Sequence, residues 1–208
     1  MKKKSKILTY DKKDFELIIK ILIVGGVGVG KSNFVYRYAD DKFSSSNYAS
    51  TGFDSKVKLL NYGDKKILVQ LWDSVGQTIY QSITRNLINR VHGIIILYDI
   101  TNKKSFENVE NWIKTIEEEN KKIIYEIVGN KCDLNESREV DINEGKKIAQ
   151  KYGVDYYETS AKMDKNIIES VNNLVLKILK NIDLENNPTF TVDDRSFAIR
   201  KSSKEKCC

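Results

Sequence analysis

The sequence predicts an α/β fold: a mostly parallel six-stranded sheet with one antiparallel edge strand and helices on both faces. Two observations predict it. Short apolar runs alternate along the chain with amphipathic helical stretches, the pattern of parallel strands joined by crossover helices. A glycine-rich turn at 25–32 also lies directly between the first apolar run and the first helical stretch, where an open sheet of this kind seats a ligand.

Taken in order, the first strand is read at 21–24 (Ile-Leu-Ile-Val), with a helix over 33–38 after the turn. Runs at 57–60 and 67–72 flank Asn61-Tyr62-Gly63-Asp64 and read as a hairpin, which supplies the antiparallel edge strand. Strands follow at 94–98, 123–128 and 154–158. Between them lie helical stretches at 105–118, with Phe106, Val109, Trp112, Ile113 and Ile116 on one face, at 142–152 and at 167–180. After Lys180 the periodicity fades into Asn, Asp, Ser and the only proline, Pro188, so 181–206 reads as a flexible linker with a root-mean-square reach of roughly 30 Å.

A chain of 208 residues fits one domain with tails better than two domains. The longest apolar stretch, 17–24, is broken by Lys20 and is too short for a bilayer. The start Met-Lys-Lys-Lys-Ser-Lys predicts no secretory leader, and Lys2 in place of glycine excludes N-myristoylation. The net charge of +6 is unevenly spread: 1–13 carries +5 and 195–206 carries +4, which leaves −3 on what lies between. Positive charge confined to the ends fits attraction to an anionic membrane surface rather than nucleic acid, although at the N-terminus it also fits a solvated tail. The cysteines are Cys132, Cys207 and Cys208. Neighbouring thiols make a strained disulfide and cannot complete a zinc site, so the terminal pair reads as a lipid acceptor.

The turn Gly25-Gly26-Val27-Gly28-Val29-Gly30-Lys31-Ser32 has the spacing G-x-x-x-x-G-K-[ST] of a phosphate-binding loop. Glycines let successive backbone N–H groups point inward, and the helix that begins there adds its positive end. The expected phosphate contacts are Gly25, Gly28, Val29, Gly30, Lys31, Ser32 and Asn33, with Lys31 reaching the β- and γ-phosphates and the Ser32 hydroxyl on Mg²⁺. Three later strands end in suggestive residues: Asp73-Ser74-Val75-Gly76-Gln77, Asn130-Lys131-Cys132-Asp133, and Glu158-Thr159-Ser160-Ala161-Lys162. An acidic residue after an apolar strand can hold Mg²⁺ directly or through water, and Asp73 stands there.

On these motifs the chain resembles the Ras superfamily of small GTPases, and within it the Rab family, over residues 17–180 together with the terminal cysteines. The resemblance implies a P-loop GTPase domain at 17–180 that binds GTP and GDP with Mg²⁺, a basic N-terminal extension at 1–16, and a hypervariable tail at 181–208. It implies that Asp133 accepts hydrogen bonds from N1–H and the 2-amino group of guanine, that Asn130 ties the neighbouring loops, and that the stem of Lys131 covers a ring face. In the Ser160-Ala161-Lys162 segment the Ala161 N–H meets O6. Phe43 stands where the family places an aromatic against the base; on residue type alone it also reads as a core phenylalanine. In the first switch loop Ser50 falls at the family's Mg²⁺-binding threonine, with Thr51 one residue out of register. Asp73 is expected on the metal through water, the Gly76 N–H on the γ-phosphate, and Gln77 as the catalytic residue that orients the attacking water. Hydrolysis then frees both loops.

The resemblance further implies geranylgeranyl groups on Cys207 and Cys208. The cellular role it implies is a monomeric switch in vesicle-mediated transport, on the cytoplasmic face of an endomembrane or the plasma membrane, with a cytosolic pool. Its partners are a guanine nucleotide exchange factor, a GTPase-activating protein, an escort protein or dissociation inhibitor, and effectors, with no nucleic acid. Some residues depart from the family. Val27 replaces a small residue beside the γ-phosphate position, which reads either as crowding of Gln77 and slow hydrolysis or as a valine accommodated with ordinary turnover. Ser55 and Leu87 replace aromatics, so that of an effector-facing triad Trp72 remains, and Thr78-Ile79 replaces Glu-Arg. A GTP-bound binding module with negligible turnover is therefore the alternative to a cycling GTPase. A P-loop kinase or ATPase is opposed by Asn130 to Asp133. His92, before a buried strand, reads as structural.

Overall fold

Strand β1, Leu17–Val24, has a single polar residue, Lys20, and is buried along most of its length. A strand covered on both faces reads as such a run, and β1 is central. It pairs in parallel with β3, Lys65–Asp73, on one side and with β4, Gly93–Asp99, on the other. With β2, Asp54–Tyr62, β5, Ile124–Asn130, and β6, Asp155–Glu158, the strands form a six-stranded sheet in the order β2-β3-β1-β4-β5-β6. Every pairing is parallel except β2 with β3. These elements come from a computed structural model that describes residues 14–45, 54–74 and 81–186, the side chains of 54, 81–84 and 183–186 apart.

The β2–β3 connection is tighter than the expected four-residue turn. Tyr62 pairs with Lys65, which leaves Gly63 and Asp64 at the tip, and Gly63 takes φ 54°, the positive value that two-residue hairpin turns demand. Helices α1, Lys31–Asp40, and α6, Ile167–Asn186, bury Phe34, Val35, Tyr38, Val171, Leu174 and Ile178 against one sheet face. Helices α2, Gln81–Ile88, α3, Lys103–Glu107, α4, Val109–Glu119, and α5, Ile142–Tyr152, cover the other. Alternate residues of β1 serve the two cores, with Ile19, Ile21 and Ile23 on the first and Leu22 and Val24 on the second.

Three elements differ from the sequence expectation. The single helix expected at 105–118 is two, α3 and α4, meeting at Asn108. The Asn108 side-chain amide donates to the Lys104 carbonyl at 3.1 Å and competes there with the helical ladder, as asparagine does inside helices. Helix α2 was not anticipated, because its sequence QSITRNLI is largely polar; Ile88 is its fully buried anchor. Helix α6 runs past Lys180 to Asn186, with Ile182 packed on the same core as Ile178 and Leu179, so the linker does not begin at 181. Helix α5 has the expected bounds, started by an Asp141–Glu144 capping box and ended by Gly153 in the left-handed region.

His92 is structural, as read. Its Nδ1 accepts the Lys20 N–H at 2.9 Å and its own N–H donates to the Lys20 carbonyl at 2.8 Å, which closes the β1–β4 junction. Burial, helped by the Lys20 charge, holds the imidazole below its ordinary pKa. The folded state therefore favours neutral His92, and this stability is present above the ordinary histidine value and lost as pH falls from there through the lowered one. In His92→Asn, the side-chain oxygen still accepts the Lys20 N–H but cannot titrate. Between pH 7 and pH 5 the wild type is expected to lose more in Tm than His92→Asn; equal losses would refute the role.

Candidate functional site

Because β1, β3, β5 and β6 are mutually parallel, their carboxyl ends open on one edge, and the four motif-bearing loops leave from it. The chain leaves β1 through Gly25, Gly28 and Gly30 at φ 147°, 78° and 96°, conformations that side chains rarely adopt. Two of these glycines also have no room for a Cβ. One at Gly25 would lie 2.1 Å from the Leu97 carbonyl oxygen, and one at Gly30 would lie 2.6 Å from the Asn130 amide nitrogen. Gly30 is the N-cap of α1 and brings no side chain to it, so the first-turn N–H groups face the loop they follow. The loop is thus a tight backbone cradle with a helix N-terminus at its base, which fits a polyphosphate.

Lys31 is buried, and its Nζ spans the loop, donating to the Gly25 carbonyl at 3.0 Å and the Gly26 carbonyl at 2.7 Å. Burial pushes its pKa down to about 8, partly countered by the Asp73 charge. A bound polyphosphate would raise it again, since a neighbouring negative charge favours the ammonium form. Ser32 Oγ donates to Asp73 Oδ2 at 2.5 Å, which joins the first turn of α1 to the end of β3. A hydroxyl and a carboxylate converging beside a phosphate cradle are oxygen donors suited to Mg²⁺. Asn33 uses its side chain elsewhere: its amide donates to the Ser44 carbonyl at 3.0 Å and accepts the Ser44 N–H at 3.1 Å. A phosphate contact from Asn33 therefore falls to its backbone N–H.

Asn130 joins the loops. It is 2% exposed, its Nδ2 donates to the Val29 carbonyl at 2.9 Å, and its Oδ1 accepts the Thr159 hydroxyl at 3.2 Å. Lys131, at φ 66°, pairs with Asp99 at 2.6 Å, and its Cε lies 4.0 Å from where a Gly30 Cβ would be, so its stem runs beside the phosphate loop. Asp133 Oδ1 accepts the Ser160 hydroxyl at 2.6 Å, and Ser160 Oγ in turn accepts the Met163 N–H at 3.0 Å. Ala161 is buried and Lys162 exposed. Phe43 is 40% exposed, which excludes the core reading.

Arg37 and Arg138 stand beside the motif-bearing loops without a motif to announce them, and Arg138 pairs with Glu158, which opens the Glu158-to-Lys162 segment. Arg138 and Glu158 form a bidentate ion pair, at 2.6 and 2.9 Å, between the chain after Asp133 and the end of β6. Arg37 Nε donates to the Ala161 carbonyl at 2.7 Å. No local signal could have revealed either, since each depends on segments far apart in the chain. On the flank, Ser55 pairs with Trp72 across β2 and β3, and Trp72 and Leu87 are half-buried against the second core. Cys132 lies half-buried between Lys131 and Asp133, and burial pushes its thiol pKa up. Ser50, Thr51, Gly76, Gln77, Cys207 and Cys208 lie outside the described residues.

The sequence profile of the Ras family matches residues 20–180. The Ras-related protein Rab-8 of Diplobatis ommata is 36% identical over 93% of this chain and 94% of its own length. The Ras-related protein Rab-8B of Homo sapiens is 37% identical over 84% of this chain and 85% of its own. The Ras-related protein Rab-10 of Caenorhabditis elegans is 34% identical over 95% of this chain and 99% of its own.

Proposed function

The chain belongs to the Ras family as a Rab small GTPase, which hydrolyses GTP in vesicle traffic, and from that membership we propose how its residues carry out the cycle. Guanine nucleotide binds along the carboxyl edge of the sheet, with its phosphates in the loop from Gly25 to Asn33 and its base between Lys131, Asp133 and the Ser160–Lys162 segment. The observation that most supports this reading is the Asn130 side chain, which bridges the Val29 carbonyl and Thr159 and so draws phosphate loop and base loops together.

Mg²⁺ would be held by Ser32, by Asp73 through water, and by Ser50 or Thr51; when bound it neutralises charge on the β- and γ-phosphates. Lys31 carries positive charge to the same oxygens. Asp133 accepts from N1–H and the 2-amino group, two donors that adenine does not present, and Phe43 lies against the base. The Gly76 N–H meets the γ-phosphate, and Gln77 orients the attacking water.

The C-terminal tail anchors the protein through geranylgeranyl groups on Cys207 and Cys208, and the basic residues beside them add attraction to anionic lipid. An escort protein or dissociation inhibitor, an exchange factor and a GTPase-activating protein complete the cycle, on the cytoplasmic face of an endomembrane or the plasma membrane. With Ser55 and Leu87 where the family has aromatics, the effectors differ from those of relatives that keep them.

Val27 favours a refinement. Its side chain is 63% exposed at the tip of the phosphate loop, free to crowd Gln77 or an incoming arginine, which makes hydrolysis slow. Single-turnover hydrolysis of prebound GTP with Mg²⁺ tests this. Wild type is expected to fall below Val27→Ser and above Gln77→Leu. Equal rates for wild type and Val27→Ser would remove the crowding idea. Negligible rates for both wild type and Gln77→Leu, with recovery in Val27→Ser, would make the protein a GTP-bound binding module.

A further inference from the structure

One face of α1 reaches both the Ala161 segment and the segment that carries Phe43. Asn33 and Arg37 stand four residues apart, so their side chains leave the helix on the same side. Asn33 clamps the backbone of Ser44, the neighbour of Phe43, through both of its amide atoms. Arg37 reaches in two directions. Its Nε donates to the Ala161 carbonyl at 2.7 Å, and its Nη1 donates to the Asp41 carbonyl at 3.2 Å and the Asp41 carboxylate at 2.7 Å.

The Arg37 side chain is 14% exposed while that of Asp41 is 80% exposed. The bond to Ala161 is thus the shielded one, and Asp41 orients the planar fork from outside. On its other side the Ala161 residue is bounded by Ser160, whose N–H and carbonyl both pair with Lys165, at 3.1 and 3.0 Å. The Ser160–Ala161 peptide is planar, so the Lys165 bond to the Ser160 carbonyl sets the direction of the Ala161 N–H, while the Arg37 bond holds the next peptide and with it the position of the residue.

We propose that Arg37 is a positioning residue for guanine recognition: by gripping the Ala161 carbonyl it keeps Ala161 at the place from which its N–H, directed by the Ser160–Lys165 pairing, meets O6 of the base. Through Asp41 it also ties that N–H to the segment that carries Phe43. The inference rests on the guanine-binding reading given above. A lysine in place of Arg37 keeps one donor for the Ala161 carbonyl, whereas a methionine of similar length and good helix propensity keeps none.

The test is the dissociation rate of GDP and of inosine diphosphate from the full chain, for wild type, Arg37→Met and Arg37→Lys. The two bases share O6 and N1–H, and only guanine has the 2-amino group. Arg37→Met is expected to release both nucleotides on the order of tenfold faster, the loss of one charge-assisted hydrogen bond, with the ratio between them unchanged because Asp133 sets it. Arg37→Lys should recover most of the difference. Release at the wild-type rate in Arg37→Met, a collapsed ratio, or a lysine variant no better than methionine would overturn the proposal. A wild-type chain that holds neither nucleotide would overturn the guanine reading itself.

Discussion

Asp133→Asn is expected to weaken GDP binding on the order of 10²- to 10³-fold and to admit xanthosine diphosphate in its place. The carboxylate is acceptor-only and suits the two donors on the guanine edge. Asparagine keeps one acceptor, for N1–H, but turns an amide N–H₂ toward the 2-amino group, so two donors face each other. Xanthine has a carbonyl at that position, and the amide then has a partner. The loop itself should survive, because the bond that Asp133 makes in the structure is the acceptance of the Ser160 hydroxyl at 2.6 Å, which an asparagine oxygen also performs. Competition of GDP and xanthosine diphosphate against a fluorescent nucleotide measures both affinities. Unchanged GDP affinity in the variant would mean that Asp133 does not read the base.

The second large effect is on the phosphate loop's own architecture. Gly25→Ala is expected to destabilise the fold by at least about 3 kcal/mol, or roughly 10 °C in Tm, whether or not nucleotide is present. Two costs combine. The backbone sits at φ 147°, where side chains are strained, and the new Cβ would lie 2.1 Å from the Leu97 carbonyl oxygen, part of β4, which has no freedom to retreat. Gly28→Ala is the control. That residue is also at positive φ, 78°, but nothing lies within 4 Å of its Cβ, so only the conformational cost of about 1 kcal/mol applies. Melting curves of both variants decide the matter. Equal shifts would show that backbone conformation, and not the approach of β4, dictates glycine at 25.

Much of this was legible in the chain. The strands at 21–24, 67–72 and 94–98 were readable because central parallel strands are apolar on both faces, and all lie inside β1, β3 and β4. Helix α5 was readable to the residue because an Asp141–Glu144 box opens it and Gly153 closes it. Helix α2 was not, since eight residues with Ile83, Leu87 and Ile88 among polar ones span too few turns to establish a period. The break at Asn108 was hidden because the apolar face from Phe106 to Ile116 continues across it, and so do the backbone bonds from the Asn108 N–H to Lys104 and from the Trp112 N–H to Asn108. Phe43 was ambiguous by type, and its exposure removes the core reading.

What the sequence determined by itself is the glycine-rich loop from Gly25 to Ser32, the Asn-Lys-Cys-Asp segment from Asn130 to Asp133 and their order along an α/β chain. Contiguous motifs are local chemistry: the residues of one turn keep fixed spacing whatever the rest of the chain does. That Asn130 ties loops was expected from the resemblance; tertiary structure alone named the Val29 carbonyl, 101 positions away, as what it holds, and decided that Arg37 would hold the Ala161 carbonyl, 124 positions away. Such partners meet only after the strand order has brought their ends to one edge, and hydrogen bonds act only over contact distance.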